Sequence, residues 1–541
     1  MSRLHTPRAW LVAASAAVSL VVLAGCQSNG DGAEVSSPGS TSTQDSDQTG
    51  GDLPAGPTET PEDTGSPTGS GSAQDAPEGL EEFYTQSLDW STCEGTFECA
   101  GLAVPLDYQD PEGAVIELAL LRSPAGGQAQ GSLVVNPGGP GSSGVDYAML
   151  SAMVISSEVR DVYDVVGFDP RGVARSAPIE CVTDEQMDAM LGFDPSPDTA
   201  EELEQREELQ EQFAQGCVQN APELMGQIST VEAARDMDIL RSSLGDEQLT
   251  YVGASYGTFL GTTYATLFPE RVGRLVFDGA MDPTLSAREI NLGQAEGFER
   301  ASRAYAESCV STGECPLGDD VETAVAGIPA FLDELDANPL PVRGDTVEEL
   351  TGGWGMYGII VAMYDEVGWP LLSQALAQAQ QGDGTMLMFL ANLYASRSSD
   401  GSYDGNGMQA IRAINCLDRP AEDSVEPPDR AELVEQFEQV SPTWGRYLAS
   451  AGCRAWPAEA QETIEDYSAA GADPIVVIGT TRDPATPYEW AVSLAEILDS
   501  GVLVSYDGDG HTAYGRSNDC VQDAVDGYLI EGTVPEDGLR C

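Results

Sequence analysis

The sequence predicts an α/β protein built on a mostly parallel sheet with helices on both faces. Short, fully apolar runs recur along the chain, and they end in Gly, Pro or Asp. Such runs are typical of strands that are buried on both sides, because a solvated face would require alternating polar residues. Longer stretches such as 231–244, with apolar residues about 3.6 positions apart, separate several of these runs and predict helices. In proteins of this class, ligands bind beyond the carboxyl ends of the strands.

Residues 1–25 have the features of a secretory signal peptide. Arg3 and Arg8 form a basic start, a short apolar run follows, and LAGC ends at Cys26. The apolar run is too short to count securely as a membrane-spanning helix. LAGC is similar to the bacterial lipobox, in which the cysteine is lipidated and becomes the mature N-terminus. We therefore expect a lipoprotein at the extracellular face of the cell membrane; a plain signal peptide with an incidental Cys26, and partial release, are open alternatives.

Residues 26–80 are predicted to be a disordered tether. They consist mainly of Gly, Ser, Thr, Pro and Asp and contain almost no apolar residues. Such a segment cannot bury enough apolar surface to offset the entropy lost on ordering. The folded body therefore begins near residue 81.

Two blocks of strands form the predicted core, at 81–284 and at 471–541. An antiparallel hairpin over 100–123 opens the sheet. The expected buried strands, each with its following turn, are 131–141, 163–172, 249–257, 274–283, 474–487 and 502–515. Between the two blocks, over 285–470, the strand pattern stops and helical patterns replace it. We expect this insertion to form a mainly helical cap over the site, in preference to a separate domain.

Ser255 is the candidate nucleophile. It lies in GASYG, with Gly253 and Gly257 on either side, after one apolar run and before a helical pattern. This is the G-x-S-x-G nucleophile elbow, in which a sharp strand-to-helix turn exposes a serine hydroxyl. Side chains at the two glycines are expected to collide with the neighbouring strand and helix.

His511 is the candidate base, because the chain contains two histidines and His5 lies in the signal peptide. A serine hydroxyl normally requires an imidazole to accept its proton. Asp483, just after an apolar run, is the best candidate for the carboxylate that orients the imidazole. Asp507 and Asp509 are alternatives, although they lie very near His511 along the chain. A purely structural role for Asp483, as a helix N-cap, is the other interpretation.

Acyl transfer also requires amide donors for the developing oxyanion. The backbone N–H of Tyr256, directly after the serine, is one candidate. The second is expected in the glycine-rich run NPGGPGSSG (136–144), where Pro140 has no N–H, so that Gly139 or Gly138 is the donor. A phosphate-binding role is disfavoured because the run lacks the lysine of a P-loop.

Charge and cysteine content exclude other classes of function. The formal net charge is −65, from 24 basic and 89 acidic residues. Nucleic acid is therefore an improbable partner. No CxxC pair is present, so we do not expect a zinc site. We also predict that the protein uses no cofactor. Setting Cys26 aside, an even number of cysteines in an exported chain predicts disulfides, and pairing of sequence neighbours is the hypothesis. The cysteines are Cys93, Cys99, Cys181, Cys217, Cys309, Cys315, Cys416, Cys453, Cys520 and Cys541.

Taken together, the motifs resemble those of the tripeptidyl aminopeptidase-like exported serine hydrolases, relatives of the prolyl aminopeptidases within the α/β-hydrolase superfamily. The resemblance covers about residues 90–541 and rests on NPGGPGSSG, GFDPRGVARS, GASYGT, RDPATP and GDGHT in that order. It implies the α/β-hydrolase fold, the triad Ser255, Asp483 and His511, and removal of residues or short peptides from a free N-terminus. One departure is Asn136, where prolyl aminopeptidases usually have His. Another is the absence of a recognisable Trp-Trp-Glu stretch that holds the substrate amine.

The expected protein is thus an exported, lipid-anchored serine peptidase that acts as a monomer on peptide substrates. An aminopeptidase needs a carboxylate for the substrate ammonium, and Asp418 and Glu366 in the insertion are the predicted residues. Arg171 is expected to form a structural ion pair. A carboxylesterase of the same fold is the alternative enzyme, and a non-catalytic substrate-binding lipoprotein is the alternative from another class.

Overall fold

The computed structural model describes residues 76–420, 429–449 and 453–541. The predictions for the signal peptide, Cys26 and most of the tether lie outside these residues. None of the helices in the described part of the chain combines the length and the apolar character of a membrane span.

A twisted ten-stranded sheet runs through the described chain, in the order β1-β2-β3-β5-β4-β6-β7-β10-β11-β12. The pairings β1–β2, β2–β3 and β3–β5 are antiparallel, the second of them as the predicted hairpin requires. Every pairing from β5 to β12 along this order is parallel. Two short strands of the insertion, β8 and β9, pair separately. The strands are β1 (Ser91–Cys93), β2 (Phe97–Pro105), β3 (Val115–Ser123), β4 (Ser132–Asn136), β5 (Asp164–Phe168), β6 (Leu249–Ala254), β7 (Val272–Asp278), β8 (Leu340–Pro341), β9 (Glu349–Leu350), β10 (Ile475–Arg482), β11 (Gly501–Asp509) and β12 (Leu539–Arg540).

Helices cover both faces of the sheet and fill the insertion. Two 3₁₀ turns, Pro269–Arg271 and Glu366–Gly368, accompany them. The α-helices are α1 (Glu81–Tyr84), α2 (Gly144–Met149), α3 (Ser151–Val154), α4 (Ser157–Val162), α5 (Asp184–Leu191), α6 (Ala200–Asn220), α7 (Thr230–Leu244), α8 (Tyr256–Leu267), α9 (Ala287–Ser311), α10 (Val321–Ala337), α11 (Gly352–Met363), α12 (Trp369–Ala379), α13 (Thr385–Ala395), α14 (Gly407–Asp418), α15 (Arg430–Val440), α16 (Gly445–Leu448), α17 (Tyr488–Ile497) and α18 (Asp519–Glu531).

Alternation along the parallel strands supplies two separate apolar layers. In β4, Leu133 and Val135 belong to the layer that packs under α2, α4 and α18, whereas Val134 belongs to the layer under α7 and α8. All three side chains are at most 1% exposed. This explains why the strands read as unbroken apolar runs, because successive side chains point to opposite faces and both faces are covered.

The insertion between β7 and β10 is mainly helical, as predicted, and spans α9 to α16. The helical layer also recruits α5, which precedes β6 in the chain. The side chain of Arg397 in the insertion is fully buried and forms an ion pair with Asp188 of α5 at 2.7 Å. Thr351 Oγ1 donates to the carbonyl oxygen of Gly192 at 2.7 Å. The segment between β5 and α7 therefore contributes to the layer that covers the carboxyl edge of the sheet.

Five disulfides pair cysteines that are neighbours in sequence: Cys93–Cys99, Cys181–Cys217, Cys309–Cys315, Cys416–Cys453 and Cys520–Cys541. Disulfides of this number are typical of proteins that fold in an oxidising compartment.

Arg171 forms the structural ion pair that its position after β5 predicts. Its Nε and Nη2 donate to the two carboxylate oxygens of Asp236 on α7, both at 2.7 Å. Both side chains have no exposed surface. The remaining guanidinium donors bind the carbonyl oxygens of Pro105, Leu106 and Gln227. A buried charge pair satisfied in this way fixes α7 against β2 and the segment after β5.

Candidate active site

Ser255 occupies the sharp turn between β6 and α8, at the carboxyl edge of the sheet. Its backbone has φ 57° and ψ −125°, a conformation that residues with a side chain rarely adopt. The Ser255 N–H donates to the carbonyl oxygen of Asp278 at the end of β7, at 2.9 Å. The strained turn is therefore held by the neighbouring strand, and Ser255 lines the cavity above the sheet.

The two glycines beside the serine are required by close contacts, as expected from the motif. A Cβ atom on Gly253 would lie 2.4 Å from the carbonyl oxygen of Gly257. One on Gly257 would lie 2.7 Å from the carbonyl oxygen of Asn136, on the neighbouring strand β4. Both distances are shorter than real Cβ contacts, so any larger residue would push the helix away from the sheet.

His511 follows β11, and its imidazole contacts the carboxylate of Asp483, which follows β10. The His511 Nδ1 atom lies 2.9 Å from each oxygen of that carboxylate. Asp483 is fully buried and also accepts the N–H groups of Ala485, Thr486 and Thr512. The Thr486 hydroxyl contacts both partners, at 3.1 Å from Asp483 Oδ2 and 3.2 Å from His511 Nδ1. This arrangement places a hydrogen on Nδ1 and leaves Nε2 as the proton acceptor.

The alternative carboxylates near His511 are engaged elsewhere. Asp509 binds Arg482 through both oxygens, at 2.8 and 3.0 Å, and Asp507 binds the same guanidinium at 2.9 Å. Nor does Asp483 cap a helix, because the N-cap residue of α17 is Pro487. Of the three predicted carboxylates, only Asp483 contacts the imidazole.

The insertion holds the other side of His511. The His511 N–H donates to the carbonyl oxygen of Tyr364 at 2.8 Å. The two rings meet edge to face, with centroids 5.4 Å apart at 89°. The histidine loop is therefore fixed between the sheet and the insertion.

Asp278 is a second buried carboxylate, beside Ser255 and the loop that carries His511, and it was not predicted from the sequence. Its side chain accepts the N–H groups of Ala513 and Tyr514, two and three residues after His511, at 2.9 and 2.8 Å. Its carbonyl accepts the N–H of Ser255. Burial raises the pKa of Asp278 to about 6, and the backbone hydrogen bonds oppose that rise. The only feature of the sequence that could have indicated Asp278 is its position at the end of an apolar run. Aspartates stand at or near the ends of several other strands, so this feature does not distinguish it.

The glycine-rich run forms a loop directly against the elbow. Gly138 and Gly139 have φ of 94° and 106°, values that favour glycine. A Cβ on Gly138 would lie 2.8 Å from the backbone nitrogen of Tyr256. The Gly138 N–H donates to Asn136 Oδ1 at 2.9 Å, so that amide is already engaged. Since Pro140 has no N–H, Gly139 is the better of the two predicted donors to stand beside the Tyr256 amide.

A cavity of about 460 Å³ opens above Ser255 and His511. One part of its wall is apolar, formed by Val361, Tyr364, Leu393, Tyr394, Met408 and Ile411 of the insertion. Another part is charged, formed by Asp146, Arg175 and Asp404. Arg175 pairs with Asp146 at 2.7 Å and with the buried Asp169 at 3.2 Å. The cavity therefore offers both an apolar surface and an ionic one to a substrate.

Neither carboxylate predicted to hold a substrate amine lines this cavity. Glu366 is exposed on the 3₁₀ turn Glu366–Gly368. Asp418 is bound by Thr230, through the backbone N–H at 2.8 Å and the hydroxyl at 2.6 Å. Asp146 and Asp404 are the acidic residues of the cavity wall. The prediction failed because it used chain position within the insertion, whereas access to the cavity depends on tertiary packing.

The sheet order, the elbow at the end of β6 and the helical insertion before the last strands define an α/β-hydrolase. Residues 441–541 match the family model described as "TAP-like protein" of the α/β-hydrolases. Relatives that are 30–37% identical over 82–84% of the chain show that it belongs to the tripeptidyl aminopeptidase-like serine hydrolases, and that it is a serine hydrolase.

Three relatives illustrate the range of this family. "Serine protease Hip1" of Mycobacterium tuberculosis is 37% identical over 84% of this chain and 91% of its own length. "Carboxylesterase B" of the same organism is 37% identical over 82% of this chain and 86% of its own length. "Tripeptidyl aminopeptidase" of Streptomyces coelicolor is 30% identical over 84% of this chain and 86% of its own length.

Proposed function

We propose that the protein is a serine aminopeptidase that releases short peptides from free N-termini. The names of its relatives include a protease, a tripeptidyl aminopeptidase and a carboxylesterase. These names support a serine peptidase. Because one relative is named as an esterase, they do not decide between peptide and ester substrates. The observation that carries the proposal is the charged part of the cavity wall, which shares one cavity with Ser255.

Negative charge exceeds positive charge there. Asp146 and the buried Asp169 pair with the guanidinium of Arg175, and Asp404 lines the same part of the wall as a further carboxylate. Within the described residues, no hydrogen bond or ion pair involves the carboxylate of Asp404, whereas its backbone N–H donates to the carbonyl oxygen of Ser396 at 2.8 Å. A substrate ammonium would form an ion pair with this exposed carboxylate at the cavity wall, and an uncharged ester would not.

In the proposed reaction, Ser255 Oγ attacks the substrate carbonyl as His511 Nε2 takes the hydroxyl proton. The amides of Tyr256 and Gly139 hold the oxyanion, and Asp483 stabilises the imidazolium. His511 then delivers the proton to the leaving amine, which leaves an acyl-enzyme at Ser255. A water molecule, activated by the same imidazole, releases the N-terminal peptide and restores the serine.

The test compares a peptide anilide carrying a free N-terminus with its N-acetylated form. The wild type is expected to prefer the free form by about 10- to 100-fold in kcat/KM, the worth of one charge-assisted hydrogen bond. Asp404→Asn is expected to lower that preference, whereas Asp400→Asn, the same change outside the cavity wall, leaves it intact. Equal rates for the two anilides would reject an aminopeptidase, and a preference for simple esters would favour the carboxylesterase.

The location of the enzyme is part of the proposal. The lipobox-like LAGC at Cys26 and the five disulfides support an exported lipoprotein. Cys26→Ser is expected to move the protein from the membrane fraction to the medium or to leave its precursor uncleaved. Mass spectrometry of the mature N-terminus measures the modification directly, and an unmodified N-terminus upstream or downstream of Cys26 would contradict it.

A further inference from the structure

We propose that helix α14 of the insertion positions both amide donors of the oxyanion hole, with Asp418 acting on Tyr256 through Thr230. The proposal rests on the nucleophile and oxyanion assignment above. Asp418 and Thr230 are positioning residues in this scheme, because neither lines the cavity that holds Ser255.

A directed chain of hydrogen bonds links the C-terminus of α14 to Tyr256. The Thr230 hydroxyl donates to Asp418 Oδ2 at 2.6 Å, and the Thr230 N–H donates to Asp418 Oδ1 at 2.8 Å. The Thr230 Oγ1 atom lies 2.5 Å from the Tyr256 hydroxyl. Since the threonine proton is given to the carboxylate, the tyrosine must be the donor in that contact. Both oxygens of Asp418 thus hold one residue, and that residue holds Tyr256.

The position of this chain explains why it matters for the reaction. Tyr256 follows the nucleophile directly, and its side chain is 4% exposed. Its backbone N–H belongs to the first residue of α8 and has no partner within that helix. Tyr256 directly follows Ser255, whose backbone is strained, so anchoring its phenol restrains the position of its amide relative to the nucleophile.

The other end of α14 contacts the glycine-rich loop. A Cβ on Gly141 would lie 2.8 Å from the carbonyl oxygen of Gly407, the first residue of the helix, and 3.0 Å from the backbone nitrogen of Ile411. Asn406, just before the helix, is buried and binds the backbone of Gly172, Ala174 and Ile179. One helix therefore touches the loop that carries Gly139 at its start and secures Tyr256 at its end.

A positively charged residue follows Asp418 in the chain. Arg419, the next residue, is 8% exposed, and its guanidinium lies 4.3 Å from the centre of the Phe259 ring. Burial raises the pKa of Asp418, and the hydrogen bonds from Thr230 and the charge of Arg419 oppose that rise. The carboxylate is thus held by Thr230 and is not part of the lining of the catalytic cavity.

The experiment measures the hydrolysis of p-nitrophenyl acetate, an ester that needs no free N-terminus. Thr230→Val removes the central hydroxyl with little change of shape, and Tyr256→Phe removes the outer one; neither removes a backbone donor. Each is expected to lower kcat by about tenfold or more while KM changes less than about twofold, since oxyanion donors act on the transition state. The rate of fluorophosphonate labelling at Ser255 should fall in parallel. Thr230→Ser retains the hydroxyl and is expected to restore kcat.

Tyr305→Phe is the matched control, because it removes a buried tyrosine hydroxyl that contacts Ser373 at 3.0 Å elsewhere in the insertion. It should leave kcat unchanged, and thermal unfolding compares the stability of all variants. Wild-type kcat in both Thr230→Val and Tyr256→Phe would overturn the proposal, as would an equal loss in Thr230→Ser and Thr230→Val. An enzyme that fails the anilide comparison but shows these effects refutes only the aminopeptidase assignment.

Discussion

Replacing Asp483 by Asn tests the catalytic arrangement most directly. The carboxylate receives His511 Nδ1–H, three backbone N–H groups and the Thr486 hydroxyl. An amide has one oxygen left. If that oxygen stays with Ala485 and Thr486, the NH₂ group faces His511 Nδ1 and the N–H of Thr512. The imidazole must then carry its hydrogen on Nε2, where it cannot accept the proton of Ser255.

The loss of kcat should therefore be on the order of 10⁴-fold, the cost of the wrong tautomer in a serine hydrolase. The free energy of unfolding should fall by about 1–3 kcal/mol, because the buried N–H of Thr512 loses its acceptor. Ester hydrolysis measures the first quantity and chemical denaturation the second. Asp509→Asn is the control, because Asp509 binds Arg482 and not the imidazole. More than about a tenth of wild-type activity in Asp483→Asn, or a comparable loss in Asp509→Asn, would refute the reasoning.

Three further predictions concern stability. Ser255→Gly and Ser255→Ala should both be inactive, but the glycine variant should be more stable than the alanine variant by about 1 kcal/mol in denaturant, since φ is 57°; equal stability would argue against strain. The pKa of Asp278 rises from 3.8 to about 6, so its carboxyl destabilises the fold as pH increases through that interval, by about 3 kcal/mol in total. Asp278→Asn should remove that component from the measured pH dependence, and an unchanged slope would contradict it. Replacing Cys181 and Cys217 by Ala opens a loop with a sequence separation of 36 and should cost about 4 kcal/mol; a loss under about 1 kcal/mol would be inconsistent with chain-entropy stabilisation.

Much of the architecture could be predicted from the sequence because its signals are local. Unbroken apolar runs revealed strands buried on both faces, and Gly253 and Gly257 marked the elbow. The contact between His511 and Asp483 was predictable because the region after the signal peptide contains one histidine, and because both residues follow strands whose carboxyl ends share an edge.

The roles of Asp278 and Asp404 could not be read in the same way. Asp278 acts through the backbone of residues that lie more than 230 positions later, at a separation of 235 for Ala513. Asp404 belongs to the cavity wall only because its loop folds back towards the glycine-rich run. Asp418 was predicted to bind a substrate amine because it is an acidic residue of the insertion. In the structure its carboxylate instead accepts hydrogen bonds from Thr230. Such roles depend on which elements meet, and residue spacing does not encode that.

The insertion leaves the sheet at β7 and returns at β10, and these strands are direct neighbours. The whole insertion thus stands where one crossover helix would suffice to connect β7 to β10. Its exchange between family members would therefore leave the strand order of the sheet unchanged. The core with a foreign insertion would nevertheless not keep its full catalytic rate. A grafted cap must arrive with its own anchor for the tyrosine behind the nucleophile, and this requirement limits which natural caps can substitute for one another.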